Sequence, residues 1–101
     1  MAGPERRSDH GVYSISVAAE LTGIEPHMLR AYERAGLLTP ARSDGGVRRY
    51  SDDDLARLQR INALASAGLN FAGIRHALDL EAENNELRAA FDRFRDSRTE
   101  D

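Results

Sequence analysis

"GGVRRYSDDDL" (residues 45–55) sets two glycines, two arginines and a tyrosine directly ahead of three aspartates. Positive charge stops and negative charge begins on either side of Ser51. A helix start accounts for the second half. A serine hydroxyl accepts from the open N–H groups of a first turn, and Ser51 with Asp54 has the spacing of a capping box in its carboxylate form. Asp52, Asp53 and Asp54 then fall where the positive end of the helix dipole favours carboxylates. The first half reads as the returning strand of a β-hairpin over "LLTPARSDGGVRRY" (37–50), because Asp-Gly and Gly-Gly supply the positive-φ positions of a tight turn. Alternation along that strand puts Val47 and Arg49 on one face and Arg48 and Tyr50 on the other. The charge boundary is an element boundary. The aspartate triplet could alternatively hold a metal ion, but no further ligands neighbour it in the sequence.

Upstream, "VYSIS" (12–16) alternates apolar and polar residues and reads as a short extended segment. Ser16 is the expected cap of a helix over "VAAELT", which Gly23 stops. Pro26 suits the first turn of a second helix, "PHMLRAYERA", ended by Gly36. Two short helices joined by a few residues containing glycine outline a helix-turn-helix; the plainer alternative is an ordinary helical hairpin. A hairpin that follows a helix-turn-helix is a wing.

Downstream, Leu55, Leu58, Ile61 and Leu64 recur at helical spacing, and Gly68 closes this third helix. Asn70 can cap a fourth, with Phe71, Ile74, Ala77 and Leu78 on its apolar side. From Ala77 the residues Leu80, Asn84, Leu87, Phe91 and Phe94 follow at alternating intervals of three and four, a heptad seam with one polar member. A single asparagine in such a seam can set register at some cost in stability. The alternatives are a helix folded back on its own domain and a helix paired with a second chain; the two phenylalanines favour pairing. The expected architecture is mainly α with a small β-hairpin wing: a winged helix-turn-helix followed by a C-terminal dimerisation helix. Its expected divisions are a disordered tail (1–11), a DNA-binding domain (12–76), the dimerisation helix (77–96) and a flexible end (97–101).

The chain has 101 residues, enough for one small domain, and no cysteine, which removes disulfides, thiolate metal sites and thiol redox chemistry. Its N-terminus lacks the apolar core of a signal peptide and no apolar run is long enough for a bilayer, so a soluble cytoplasmic protein, nucleoid-associated if it binds DNA, is expected. All fourteen basic residues are arginine. Codon bias in a GC-rich genome explains this blandly, yet arginine's planar fork grips phosphates and guanine edges as lysine cannot. The net charge of −3 is segregated: residues 28–50 carry five arginines against Glu33 and Asp44, while residues 79–101 carry four against eight acids. A basic middle precedes an acidic tail, which keeps the arm off phosphates. His10, His27 and His76 show no metal-ligand spacing, and no nucleophile–base pair is apparent, so neither enzyme activity, a metal nor a cofactor is expected.

"MLRAYERAGLL" (28–38), "GGVRRYSDDDLARL" (45–58) and "INALASAGLNFAGI" (61–74) resemble, in order and spacing, the MerR family of bacterial transcription regulators. The resemblance covers about residues 12–80. Within the family, "ISVAAELTG", "SDGGVRRYS" and "GLNFAGIRHALDL" look most like the heat-shock repressors of the HspR type. The resemblance implies a homodimer joined by antiparallel helices through Leu80, Asn84, Leu87, Phe91 and Phe94. It also implies a pseudo-palindromic promoter operator in double-stranded DNA, repression of stress or chaperone genes, and a chaperone co-regulator of the DnaK kind. It departs from the family at Met28, Ala31 and Val47, where a threonine, a tyrosine and an aromatic are usual, and at Glu25, where Ser or Thr usually caps the second helix. No effector domain is expected after the final helix.

The resemblance sends the N-terminal half of the second helix into the major groove, with His27, Met28 and Arg30 toward base edges or phosphates. Arg30 is the leading candidate for base readout. Tyr32 could donate to a phosphate, or its ring could pack in the core. Arg34 is as readily a solvated charge. Arg42 and Arg48 on the wing should approach the DNA backbone or the flanking minor groove, mainly positioning the protein, with Arg49 ranked below them and Tyr50 beside them. Leu29, Leu37, Leu55, Leu58 and Ile61 should be core. Two rival functions remain open: a protein-interaction module docking on a sigma factor or chaperone, and an excisionase-like architectural DNA binder that needs no dimer arm.

Overall fold

A computed structural model describes residues 10–42 and 48–98. The expected turn at 43–46, Val47 and the outermost residues of both expected tails lie outside the described residues. Helix α1 spans Ile15–Thr22 and is capped by Ser14, whose hydroxyl accepts from the Val17 N–H at 3.3 Å. The expected cap, Ser16, lies inside the helix. The earlier start has a tertiary cause: the Tyr13 N–H donates to the Tyr50 carbonyl at 2.9 Å and the Tyr50 N–H returns to Tyr13 at 2.7 Å. That antiparallel bridge holds the backbone extended through Tyr13, leaving Ser14 as the half-in residue. Gly23, at φ +75°, ends α1 in the left-handed region that glycine occupies without a Cβ penalty.

Helix α2 (Pro26–Arg34) opens with proline in its first turn and with Glu25 at the cap position, which makes no side-chain capping bond. The chain then runs to β1 (Ala41–Arg42), which pairs antiparallel with β2 (Arg48–Arg49), Ala41 opposite Arg49 and Arg42 opposite Arg48. This ladder is much shorter than the hairpin expected over 37–50. Leu37 and Leu38 belong to no strand because both are buried in the core, which pulls them away from a solvated ribbon.

Helix α3 (Asp52–Ser66) carries the full capping box: the Asp54 N–H donates to Ser51 Oγ at 3.0 Å and the Ser51 N–H to Asp54 Oδ2 at 2.9 Å. Helix α4 (Phe71–Arg98) starts where Asn70 Oδ1 accepts from the Gly73 N–H at 2.8 Å. It is one uninterrupted helix of 28 residues, so the expected fourth helix and the expected arm form a single rod, and Ser97 and Arg98 belong to it rather than to a loose end. The core gathers Ala18 of α1, Leu29 and Tyr32 of α2, Leu58 and Ile61 of α3, Ile74 and Leu78 of α4, with Ile24, Leu37, Leu38 and Tyr50 from the connections. Each buried leucine or isoleucine contributes about 1.5–3 kcal/mol relative to an exposed one. The fold is mainly helical, and among the described residues no helix is long and apolar enough to cross a membrane.

Candidate nucleic-acid interface

Helix α2 divides cleanly by face. Leu29 and Tyr32, three apart, are buried, whereas His27, Arg30 and Arg34, at intervals of three and four, are exposed. At about 100° per residue the latter three form one narrow stripe opposite the core face. Glu25 makes no side-chain capping bond at this end of α2, the end that favours anions, although the Met28 N–H donates to the Glu25 carbonyl at 2.9 Å. Glu25 itself stands 3.8 Å from His27 Nδ1, a carboxylate at the mouth of that end.

The candidates are not equal. His27 and Arg30 present their side chains to solvent, and Met28 is half-buried against the core. Tyr32 is buried: its ring meets Phe71 of α4 edge-on at 5.7 Å and its hydroxyl points to Asn62 Oδ1 at 3.4 Å. Burial pushes its hydroxyl pKa up. Tyr50 is fully buried beneath the bridge to Tyr13. Both tyrosines therefore belong to the buried core rather than to an outer surface. Arg49 is half-buried. Arg42 and Arg48 face each other in the ladder register, their side chains lying outside the described residues.

Two arginines to which the sequence reading assigns no role do structural work at the far end of α2. Arg75 of α4 donates to the carbonyls of Ala35 and Gly36, the latter at 3.4 Å, and Arg57 of α3 donates through Nε to the Leu37 carbonyl at 2.6 Å. The last carbonyls of a helix lack intrahelical partners and carry the negative end of its dipole, so a guanidinium fits there twice over. Nothing local in the sequence marks these contacts, since Arg75 lies 40 residues beyond Ala35.

The model of the MerR HTH family of regulatory proteins matches residues 13–81, an interval containing all four helix starts and the strand pair. The chain belongs to the MerR family. Among MerR relatives, the Streptomyces coelicolor protein designated heat shock protein HspR is 44% identical over 86 residues, covering 84% of this chain and 57% of its own length. The transcriptional repressor CarH of Myxococcus xanthus is 43% identical over 58 residues, 56% of this chain and 19% of CarH. The regulator GlnR of Bacillus anthracis is 32% identical over 82 residues, 81% of this chain and 64% of GlnR. The chain thus spans less than two thirds of the length of each of these relatives.

Solved MerR structures share the architecture. HiNmlR, a MerR regulator lacking the sensor domain and bound to promoter DNA, superposes with a TM-score of 0.65 at 29% identity over 80% of this chain and 65% of that one. The N-terminal part of MtaN, the multidrug transporter activator of Bacillus subtilis, gives 0.63 at 30% identity over 85% of this chain and 91% of that one.

Proposed function

We propose that this chain is a sequence-specific regulator of transcription that binds a promoter operator in double-stranded DNA as a homodimer. The observation that carries the reading is the exposed His27–Arg30–Arg34 stripe on a helix whose opposite face is locked into the core. Such a helix offers cations to a groove while its scaffold holds it rigid. Arg30 takes the base-reading role, the strand pair acts as a wing, and Arg42 and Arg48 position it on the backbone. HiNmlR, of like fold, was solved on promoter DNA, which supports the same partner here. The likeness to HspR supports repression of heat-shock or other stress genes.

The second copy is argued from α4. At about 100° per residue, the stripe that enters the core (Ile74, Leu78) and the stripe of Leu80, Asn84, Leu87, Phe91 and Phe94 lie on roughly opposite sides of the rod. Leu80, Leu87, Phe91 and Phe94 are 50, 70, 60 and 58% exposed. A helix that already spends one face on its own head cannot turn the other toward it, so these side chains are left for another molecule. Two heads on one two-fold axis read half-sites in successive major grooves.

Selection of bound duplexes from a random pool tests the reading. A recovered inverted repeat, bound with an affinity that falls steeply with salt, is expected. Recovery of no sequence, with no duplex affinity at low salt, contradicts it and leaves the protein-docking alternative.

A further inference from the structure

Arg75 sits in the second turn of α4, yet its guanidinium lies at the carboxyl end of α2, donating to Ala35 and Gly36. The site is shaped for it. Gly36 has φ +78°, which by itself favours glycine, and a Cβ there would stand 2.8 Å from Arg75 Nη2, so a side chain at 36 would make the guanidinium shift. One turn earlier on α4, Phe71 meets the ring of Tyr32 on α2. Two contacts thus join the reading helix to α4. The same α4 continues unbroken through Leu80 and Leu87, so Arg75 and the pairing stripe are parts of one rod about 18 Å apart at Leu87.

We infer that Arg75 is a positioning residue for DNA recognition, fixing α2 to the dimer arm so that the separation of the two reading helices is set by the arms. This rests on the proposed DNA-binding reading. Two helices held rigidly to paired rods fit one spacing of half-sites; helices that can pivot at their carboxyl ends accept several. Arg75 itself makes no base contact in this scheme. Its two carbonyl partners hold the fork, whose two terminal nitrogens reach them from a fixed planar geometry, whereas a lysine would have to serve both from one nitrogen on a flexible stem.

The test uses the full chain and duplexes carrying the selected operator with its spacer lengthened or shortened by single base pairs. Wild-type protein should bind one spacer best. Arg75→Ala should lose at least about fivefold on that spacer, the scale of coupling between sites, and should discriminate less among the others, with dimerisation retained. Arg75→Lys should fall between the two. Arg93→Ala, removing an equal charge farther along the same exposed helix, should leave the spacer profile unchanged. Loss of affinity with an unaltered spacer profile and a salt slope reduced by about one would mark a direct phosphate contact and overturn the inference. So would an Arg75→Ala protein equal to wild type. Should that variant not fold, an Arg75→Lys protein with the wild-type profile overturns it equally. A wild-type chain that binds no duplex overturns the DNA-binding reading itself.

Discussion

Arg60 of α3 grips Glu81 of α4 with both Nε and Nη2 on a single carboxylate oxygen, Oε2, at 2.9 and 2.5 Å. The pair sits just past the last buried residue of α4, Leu78, where the rod leaves the head. It is the outermost described side-chain tie between α3 and the arm.

The hydrogen bond from Arg60 holds the Glu81 carboxyl below its ordinary pKa. A depressed carboxylate contributes stability above its unfolded pKa and loses it as pH falls through the folded value. The difference in Tm between wild type and Glu81→Gln should therefore be small but present at neutral pH and vanish in acid below the usual carboxylate range. High salt should shrink it, because both groups are solvent-exposed. Thermal unfolding followed across pH and ionic strength checks this.

Ser51 is buried and closes two hydrogen bonds with Asp54, so Ser51→Ala leaves the Asp54 N–H without its acceptor. A loss of about 1 kcal/mol, within a range of roughly 0.5–2, is expected in urea unfolding. Asp54→Ala frees one N–H likewise, that of Ser51, but should cost less, since Asp54 is only partly buried.

Phe91→Glu or Leu87→Glu places a charge in the exposed stripe of α4 while touching nothing in the core. Light scattering at micromolar concentration should report a monomer for these variants and a dimer for wild type. Circular dichroism should show the helices of the head retained. A wild-type monomer at that concentration removes the pairing part of the proposal.

Arg30→Ala should flatten discrimination among operator sequences by about 1–3 kcal/mol, the worth of a bidentate arginine–guanine pair. Arg48→Ala should weaken specific and random duplexes alike and lower the salt slope by about one. Equal losses for both variants on both duplexes contradict the division of roles.

Local chemistry made much of this fold readable. Ser51–Asp54, Gly23, Pro26 and Asn70 each act within a few residues of themselves, so their spacing alone announces helix ends. The failures have long-range causes. Ser14 displaces Ser16 because Tyr13 is bridged to Tyr50, 37 residues on, and no feature of "VYSIS" reports that pairing. Tyr50 reads as a surface residue by strand alternation, which separates two faces without telling which one is covered. Arg57 and Arg75 draw no reading from the sequence because their carbonyl partners are 20 and about 40 residues away. The stripe of α4 is legible as periodicity; that Arg34 joins His27 and Arg30 on one face of α2 follows only once Leu29 and Tyr32 are seen inward.

The two apolar stripes of α4 share no residue, and this has a consequence for dosage. The core closes within one protomer, so in the proposed pairing association is a matter of mass action. Below the dissociation constant of the pair, the dimer population rises with the square of protomer concentration. On the proposed DNA-binding reading, operator occupancy would then respond to synthesis more steeply than linearly.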